Sequence, residues 1–412
     1  MSRPAAPSQS LLPFTLKRSR LANKTRPVYL RVAGLFAGIG GIERGLARAG
    51  HTTSLLCEIE PAAKKVLEER FHGVEVTPDV VALKNLPRDV SLVTAGFPCQ
   101  DLSQAGKTAG ISGGQSGLIG EVLRLLEKHR TPTVLLENVS FMLQLGGGRA
   151  LDHILSRLEA LGYNWAYRVV DSRSFGVPQR RERVYIVASR VLDPRGVLLI
   201  DEAGAPEVRN AEPMSVPCGF YWTEGIRGLG WAVDAVPTLK GGSTIGIPSP
   251  PAIVFPSGLV ATPDIRDAER LQGFPADWTK PAERVTKRGA RWKMVGNAVT
   301  VGAAEWIGRR LAKPGVYDSN GDAALLSGRP WPRAAWNVGH GRFSAPLSSW
   351  PMNRRTLGLA KFLRFEVEPL SPRATAGFLE RASRSTLHFP PGFLQTLESH
   401  LAAVRSRQNA AS

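Results

Sequence analysis

Apolar residues in the first half of the chain fall into short runs, which are separated by stretches with helix-like spacing. The first run leads through a glycine-rich turn into an amphipathic stretch that ends at Gly50. Helices are predicted from Pro61 and over residues 150–161, and a two-stranded hairpin over residues 164–190. Three further runs end in polar residues: TTSLLCEIE, SLVTAGFPCQ and TPTVLLENV. This alternation predicts an α/β protein with a Rossmann-like, doubly wound sheet over residues 28–190.

The polar ends of the predicted strands are the expected ligand site, because doubly wound sheets bind ligands beyond the carboxyl ends of their strands. Glu58 ends the second strand, where Rossmann-like folds hold ribose hydroxyls. Glu60 is the alternative, and a solvated surface acid is the other interpretation of Glu58. Asp79 follows a short strand and is placed to meet an adenine amino group. The first turn matches neither the G-x-G-x-x-G fingerprint nor a P-loop, so it does not identify the ligand alone.

The charge balance adds a polyanionic partner to this picture. Lys and Arg outnumber Asp and Glu by 53 to 35, a formal charge of +18, which favours a nucleic-acid partner. A highly soluble protein from a basic proteome would share this balance.

No apolar run approaches the roughly 20 residues needed to span a membrane. Residues 1–27 are basic, rich in Pro and Ser and without the apolar core of a secretory signal, so we expect a disordered arm, with an organelle transit peptide as the alternative.

The three cysteines argue against a disulfide framework. Cys57, Cys99 and Cys218 are odd in number and lack C-x-x-C spacing, and the scattered histidines form no metal-binding pattern, so no metal is expected. Cys57 lies in an apolar run, as a buried structural cysteine would. Cys99 lies on a loop after a strand and beside Pro98, and the residue types alone leave it open between a small buried residue and a thiolate nucleophile.

Six separated motifs resemble those of the DNA cytosine-5 methyltransferases. They occur over residues 28–311 in that family's order: LFAGIGG, GFPCQDLSQAGK, ENV, QRRERVYIVA, RLQGFP and GNAV. The resemblance implies methyl transfer from S-adenosylmethionine to carbon 5 of a cytosine in a short, specific sequence of double-stranded DNA. It also implies that the base is first flipped out of the duplex.

The same resemblance implies roles for five catalytic-site residues. Cys99 would add to carbon 6 of the base, a step that suits a soft thiolate. Glu137 would protonate or hydrogen-bond ring nitrogen 3, with Asn138 shaping the pocket. Arg181 and Arg183 would hold the flipped base and its phosphate through their planar guanidinium groups.

Cofactor and DNA contacts are implied in the same way. The implied cofactor residues are Phe36, Gly38, Gly40, Glu58, Ile59, Asp79, Pro98, Asn297 and Val299. Ile59 occupies the position that stacks on adenine. Gly34 departs from relatives that often carry an acid there, and we expect one weakened polar contact. The implied DNA-binding residues are Gln100, Ser103, Arg227, Thr238 and Lys240, the first two on a loop whose Gly106 and Gly110 would give it mobility.

The motifs also divide the chain. We expect the catalytic domain over residues 28–190 and again over 263–312, with a helix at about 298–311 that packs beside residues 28–50. Residues 191–262 would form the target-recognition region, whose aromatic residues either contact DNA or pack within loops. Residues 313–412 form a C-terminal extension, interpreted as an accessory DNA-binding domain, an oligomer contact or packing.

Two alternative functions and three biological settings accompany this interpretation. A branch of the family modifies RNA, and a non-catalytic DNA-binding regulator would share the fold, although Cys99, Glu137, Arg181 and Arg183 are all present. A restriction partner, a phage defence and a solitary regulator would share the motif pattern. We expect a bacterial or phage enzyme of the cytoplasm, associated with the nucleoid, which acts as a monomer on DNA and has a cognate restriction endonuclease as a further candidate partner.

Overall fold

Two large sheets organise the chain in the computed structural model, which describes residues 26–98, 117–206, 214–241, 249–326 and 328–411. The strands of the first sheet, in chain order, are β1 (Arg31–Leu35), β2 (Thr52–Cys57), β3 (Glu75–Thr77), β4 (Leu92–Gly96), β5 (Thr133–Val139), β6 (Asn164–Asp171), β8 (Glu182–Ser189), β14 (Ala323–Ala324), β15 (Ala334–Asn337) and β16 (Arg342–Ser344). The other strands are β7 (Gln179–Arg180), β9 (Cys218–Phe220), β10 (Ala232–Val233), β11 (Val236–Pro237), β12 (Ala252–Val254), β13 (Val260–Thr262) and β17 (Glu368–Pro369).

The helices alternate with the strands of the first sheet. They are α1 (Gly41–Arg48), α2 (Pro61–Arg70), α3 (Leu118–His129), α4 (Arg149–Ala160), α5 (Arg195–Leu198), α6 (Ile265–Leu271), α7 (Arg291–Asn297), α8 (Val301–Ala312), α9 (Leu359–Phe362), α10 (Pro372–Ser383) and α11 (Phe393–Ala411). Short 3₁₀ turns cover Ser140–Leu143, Ser172–Phe175, Lys280–Arg284 and Arg288–Ala290. No helix in the described ranges is both long and apolar enough to cross a membrane.

The first sheet has ten strands in the order β14-β16-β15-β6-β8-β5-β4-β1-β2-β3. Strands β1 to β5 are parallel, and the predicted hairpin is present as the antiparallel pair β6 and β8. The predicted doubly wound α/β fold is therefore confirmed. The strand order reverses between β1 and β4, the position where such sheets bind ligands.

Helices cover both faces of this sheet because its central strands are apolar on both sides. On one face, α3 and α4 pack over side chains such as Leu35, Val93 and Leu136. On the other face, α1 and α8 share a core that includes Leu46 and Ile307. The predicted return of the last helix beside residues 28–50 is confirmed, although α8 begins at Val301 because Ala298 and Thr300 have extended backbones.

The C-terminal extension does not form a single unit. Residues 323–344 add three strands to the first sheet, with β15 antiparallel to β6. Strand β17 instead pairs with β13 at the edge of a second sheet, which has the order β10-β9-β12-β13-β17. Helices α10 and α11 cover this second sheet, and Phe378 and Phe393 pack against Phe220. The sequence-based boundary at residue 312 therefore separates segments that share a core, because the pairing partners lie far apart in the chain.

Candidate active site

A cavity of about 380 Å³ lies at the carboxyl ends of the parallel strands. Seven of the residues predicted for the cofactor line it: Phe36, Gly38, Glu58, Ile59, Asp79, Pro98 and Asn297. They follow different strands of the sheet, and Asn297 returns from α7 on the far side of the recognition region. The strand-end prediction thus brings together side chains that are up to 261 positions apart in the sequence.

The glycine-rich turn forms one wall of this cavity. Phe36, Gly38 and Gly40 have φ angles of 53°, 56° and 79°, a left-handed conformation that glycine adopts without strain. The amide of Gly38 donates to Oε2 of Glu58 at 2.7 Å, and the amide of Glu60 donates to Oε1 at 2.8 Å. Burial raises the pKa of Glu58 overall, while these amides act in the opposite direction. The carboxylate is thereby fixed against the turn.

The rest of the cavity lining combines apolar and charged side chains. Ile59 is 71% exposed although it is aliphatic, and Asp79 accepts a hydrogen bond from the amide of Val81 at 2.9 Å. Lys293 and Met294 on α7 also line the cavity. The motif pattern predicted neither of these α7 residues, since they precede the GNAV segment.

The other two predicted cofactor residues, Gly40 and Val299, are not among the residues that line the cavity. A Cβ atom at Gly40 would come within 2.3 Å of the Phe71 ring, and one at Gly41 within 2.5 Å of the Val299 carbonyl oxygen. The glycine-rich turn is therefore packed closely against both Phe71 and Val299. The roles of Gly40 and Val299 toward a ligand stay predictions.

The departure at Gly34 has a structural explanation. A Cβ atom there would lie 2.4 Å from Oε1 of Glu43, so only glycine leaves room for that side chain. Glu43 is buried and accepts a hydrogen bond from Thr94 at 2.7 Å. Burial raises the pKa of Glu43 to about 7. A buried acid of the first turn of α1 thus lies against Gly34, and the expected weakening of a polar contact stays a prediction.

Glu137 lies beside the cavity, at the end of β5. A Cβ atom at Gly96, which lines the cavity, would lie 3.4 Å from Oε2 of Glu137. Nε of Arg183 lies 3.2 Å from Oε1, but the direction does not suit a hydrogen bond, and this buried oxygen has no hydrogen-bond partner. Burial raises the pKa of Glu137, while Arg183 and then Arg181 oppose the shift. An orphaned buried oxygen of this kind is costly unless a ligand satisfies it.

Asn138 positions the chain that leads to the predicted nucleophile. Its Nδ2 donates to the carbonyl of Phe97 at 3.0 Å, and its Oδ1 accepts from the amide of Val139 at 2.8 Å. Pro98 follows Phe97 and lines the cavity. The predicted residues Cys99, Gln100 and Ser103, and the two loop glycines at 106 and 110, lie outside the described residues.

Arg181 is placed differently from the expected base contact. Its guanidinium is buried and donates to the carbonyls of Leu239 at 3.1 Å, Gly296 at 3.0 Å and Ala298 at 2.8 Å. Burial, followed by the neighbouring Arg183, lowers the pKa of Arg181 to about 9. Both terminal nitrogens are thus used to join the recognition region to the last motif. The sequence indicated an arginine in the right place but could not reveal these distant acceptors.

Two glutamines that the motif analysis passed over complete this junction. Nε2 of Gln272 donates to the carbonyls of Val295 and Ala298 at 2.9 and 3.2 Å. Nε2 of Gln179 donates to Oε1 of Gln272 at 3.2 Å. Both side chains are fully buried. The sequence signal for these glutamines was their presence within the QRRER and RLQGFP motifs. Buried amides with several partners fix a single arrangement of the backbone.

Three of the predicted DNA-binding residues, Thr238, Lys240 and Arg227, lie within the described residues. Oγ1 of Thr238 donates to the carbonyl of Arg180 at 2.8 Å. Lys240 forms an ion pair with Glu224, and its Nζ lies 3.7 Å from the centre of the Tyr221 ring. Arg227 is exposed on the segment between β9 and β10. Within the described ranges, no group of three or more His, Cys, Asp and Glu side chains is arranged to hold a metal ion.

The chain is similar to a known protein family, to individual enzymes and to solved structures. The model of the family "C-5 cytosine-specific DNA methylase" matches residues 30–207 and 264–313. Type II methyltransferase M2.BsuMI of Bacillus subtilis (strain 168) is 46% identical over 382 residues, 90% of this chain and 97% of that protein. Type II methyltransferase M.PspPI of Psychrobacter sp. (strain TA137) is 30% identical over 328 residues, 68% of this chain and 78% of that protein. The solved structure of the Entamoeba histolytica methyltransferase EhMeth aligns with a TM-score of 0.49 at 14% identity, over 69% of this chain and 98% of that one.

Proposed function

The chain belongs to the C-5 cytosine-specific DNA methylase family and is a DNA cytosine-5 methyltransferase, and we propose that it acts through Cys99 with S-adenosylmethionine as the methyl donor. The cytosine would be flipped out of double-stranded DNA and held between Cys99 and Glu137. One observation carries this proposal: the Glu137 carboxyl group is buried beside the cavity at the strand ends, with Oε2 near Gly96 and Oε1 without a hydrogen-bond partner.

The cavity suits an adenosyl group. Ile59 presents an apolar surface for a planar ring, and Asp79 lines the same cavity. Glu58 retains acceptor capacity beyond its two amide contacts, since an ionised carboxylate has about four lone-pair positions. When bound, S-adenosylmethionine supplies an electrophilic methyl group. Pro98 and Gly96 would place the reacting cytosine next to that methyl group.

The chemistry of cytosine explains why a thiol and an acid are needed together. Carbon 5 becomes nucleophilic only after the Cys99 thiolate has formed a bond to carbon 6. Electron density then moves to ring nitrogen 3, where Glu137 holds a proton. Burial favours the neutral, proton-bearing form of Glu137. Methyl transfer would leave S-adenosylhomocysteine. Water would then take the carbon 5 proton while the Cys99 thiolate departs, and the proton on ring nitrogen 3 would return to Glu137, which restores the aromatic ring.

Arg183 and Arg181 have different roles in this proposal. Arg183 lies next to Glu137 and would contact the base or its phosphate. Arg181 keeps Leu239, Gly296 and Ala298 in register and thereby positions the recognition region against the cofactor side. We therefore assign Arg181 a positioning role and not a direct base contact.

The type II names of the similar enzymes favour a restriction–modification setting, in which a companion endonuclease would cut the same sequence when it is unmethylated. The test is base-resolution methylation sequencing of DNA from a methylation-free bacterial host that expresses the protein. We expect 5-methylcytosine in one short sequence context, and none with Cys99→Ala.

Cys218→Ala is the matched control, because Cys218 is a buried cysteine of the second sheet. The control should leave the methylated positions unchanged. Unmethylated DNA from a folded wild-type protein that binds S-adenosylmethionine would contradict the proposal, and so would full activity of the Cys99 variant.

A further inference from the structure

The C-terminal extension holds a loop of the region predicted to recognise DNA. We use the name recognition loop for residues Tyr221–Gly230, which connect β9 and β10. Tyr221 donates through its hydroxyl to the carbonyl of Thr238 at 2.8 Å, and Glu224 pairs with Lys240. Because Thr238 in turn donates to the Arg180 carbonyl, the loop is two hydrogen bonds away from the strand segment that carries Arg181 and Arg183.

Two side chains of the extension bind three alternate carbonyls of this loop. Nη2 of Arg381 donates to Trp222 at 2.7 Å, and its Nε donates to Glu224 at 2.8 Å. The hydroxyl of Ser385 donates to the carbonyl of Ile226 at 3.0 Å. The planar guanidinium of arginine is suited to such a double contact, whereas a lysine ammonium lacks the fixed fork.

We use the name clamp for Arg381 and Ser385 together with the three loop carbonyls that they bind. The helix that carries Arg381 is packed into a core. Arg381 lies on α10, whose Phe378 is fully buried between Phe220 and Phe393. The loop also closes on itself, since the amide of Tyr221 donates to the Leu229 carbonyl at 2.9 Å and that of Gly225 to the Gly228 carbonyl at 3.0 Å. The clamp therefore connects a packed core to the middle of the recognition loop.

The outer side of the loop has the chemistry of a DNA contact. Arg227 is exposed at its tip, and Ile226 is 45% exposed. A cation beside an apolar side chain can contact phosphate or a base edge in a groove. The segment that the family model leaves unmatched, residues 208–263, contains this loop.

We infer that Arg381, assisted by Ser385, is a positioning residue that fixes the recognition loop and thereby determines which base pairs the enzyme accepts. This inference rests on the proposed function. A rigid loop penalises a mismatched base pair because it cannot move to recover the lost contacts. A loop released from the clamp adapts to incorrect sequences, so discrimination falls more than the rate of the chemical step.

The test compares Arg381→Ala and Ser385→Ala with the wild-type protein. Steady-state methylation is measured on a duplex with the mapped sequence and on duplexes with single base-pair changes. We expect the ratio of kcat/KM between correct and changed duplexes to fall roughly tenfold for Arg381→Ala, and less for Ser385→Ala. KM for DNA should rise while kcat and the affinity for S-adenosylmethionine are kept.

Two further variants separate geometry from charge. Arg381→Lys keeps the charge but can reach only one carbonyl well, so it should recover part of the lost discrimination. Arg384→Ala is the matched control, because Arg384 lies three residues further on, is 64% exposed and pairs with Glu380. It should match the wild type.

Unchanged discrimination in a folded Arg381→Ala protein would overturn the inference while the proposed function stands. If that variant does not fold, Ser385→Ala decides, and wild-type discrimination in Ser385→Ala would overturn the inference. If the wild-type protein methylates no duplex, the proposed function fails and the inference fails with it.

Discussion

The two sheets of this enzyme differ in how their contacts are distributed along the chain. In the ten-stranded sheet, several of the residues that line the cavity follow a strand within a few residues, as Glu58 follows β2 and Pro98 follows β4. In the five-stranded sheet, β13 pairs with β17, and the contact between Thr262 and Glu368 spans 106 positions. The first sheet thus carries chemistry in short contiguous motifs, whereas the shape of the second depends on distant segments.

This difference predicts that substitutions at the site of the first sheet can abolish methyl transfer while the fold is kept. Substitutions in the second sheet should instead weaken the recognition of DNA. The sharpest case is Glu137→Gln. We expect methyl transfer to fall at least about 100-fold, because the amide cannot donate an acidic proton to ring nitrogen 3. The affinity for S-adenosylmethionine should stay unchanged, as measured by calorimetry.

The pH dependence follows from the direction of the shift. Because burial raises the pKa of Glu137, the acid form persists to higher pH than in a free glutamate, and the wild-type rate should fall as the pH rises through that raised pKa. Glu137→Gln should lack this alkaline limb. Glu182→Gln is the control, because Glu182 is half-exposed and pairs with Arg333. This variant should keep the alkaline limb.

In the second sheet, Phe378→Ala should separate recognition from cofactor binding. Phe378 is fully buried against Phe220 and Phe393, and truncating such a ring costs about 3–5 kcal/mol of unfolding free energy. We expect KM for DNA to rise strongly, while S-adenosylmethionine still binds the first sheet. Equilibrium unfolding and cofactor titration test both parts. Leu357→Ala, at a half-exposed position, should change neither, and an equal loss of cofactor affinity in Phe378→Ala would contradict the separation.

The cores of the two sheets also differ in charge, since Glu43 is buried beneath the first sheet's glycine-rich turn. Its folded-state pKa of about 7 lies above the unfolded value of 4.5, so the folded state binds the extra proton. Stability is therefore greatest below pH 4.5 for this group and declines as the pH rises to 7, by up to about 3 kcal/mol. Glu43→Gln should remove this decline in urea unfolding at pH 5 and 8, whereas the exposed Glu60→Gln should retain it.

The fold and part of the site were predictable from sequence because the parallel strands are short apolar runs that end in polar motifs. The glycine-rich turn, Glu58 and Asp79 fall where the strand-end rule places them, and Asn297 of the GNAV motif lines the same cavity. The motif pattern did not reveal that Arg181 is enclosed by three carbonyls, because those acceptors come from separate parts of the chain.

The C-terminal extension was unpredictable for a related reason. Strand β15 has only four residues, and its position is fixed by pairing with β6 rather than by any periodicity of its own. Arg381 occupies an ordinary amphipathic helix, and only the folded chain shows that its side chain reaches the carbonyls of Trp222 and Glu224. Local patterns identify elements, but they do not identify the partners on which those elements depend.

The central claim is that Cys99 forms a covalent bond with the target base, and a trapping experiment tests it most directly. A duplex of the mapped sequence is made with 5-fluorocytosine at the target position, which has no carbon 5 proton to lose, so the adduct cannot be released after methyl transfer. With S-adenosylmethionine present, we predict a denaturation-resistant protein–DNA complex for the wild type and for Cys218→Ala, and none for Cys99→Ala. A complex formed by Cys99→Ala, or none formed by a wild-type enzyme that methylates ordinary DNA, would contradict the account.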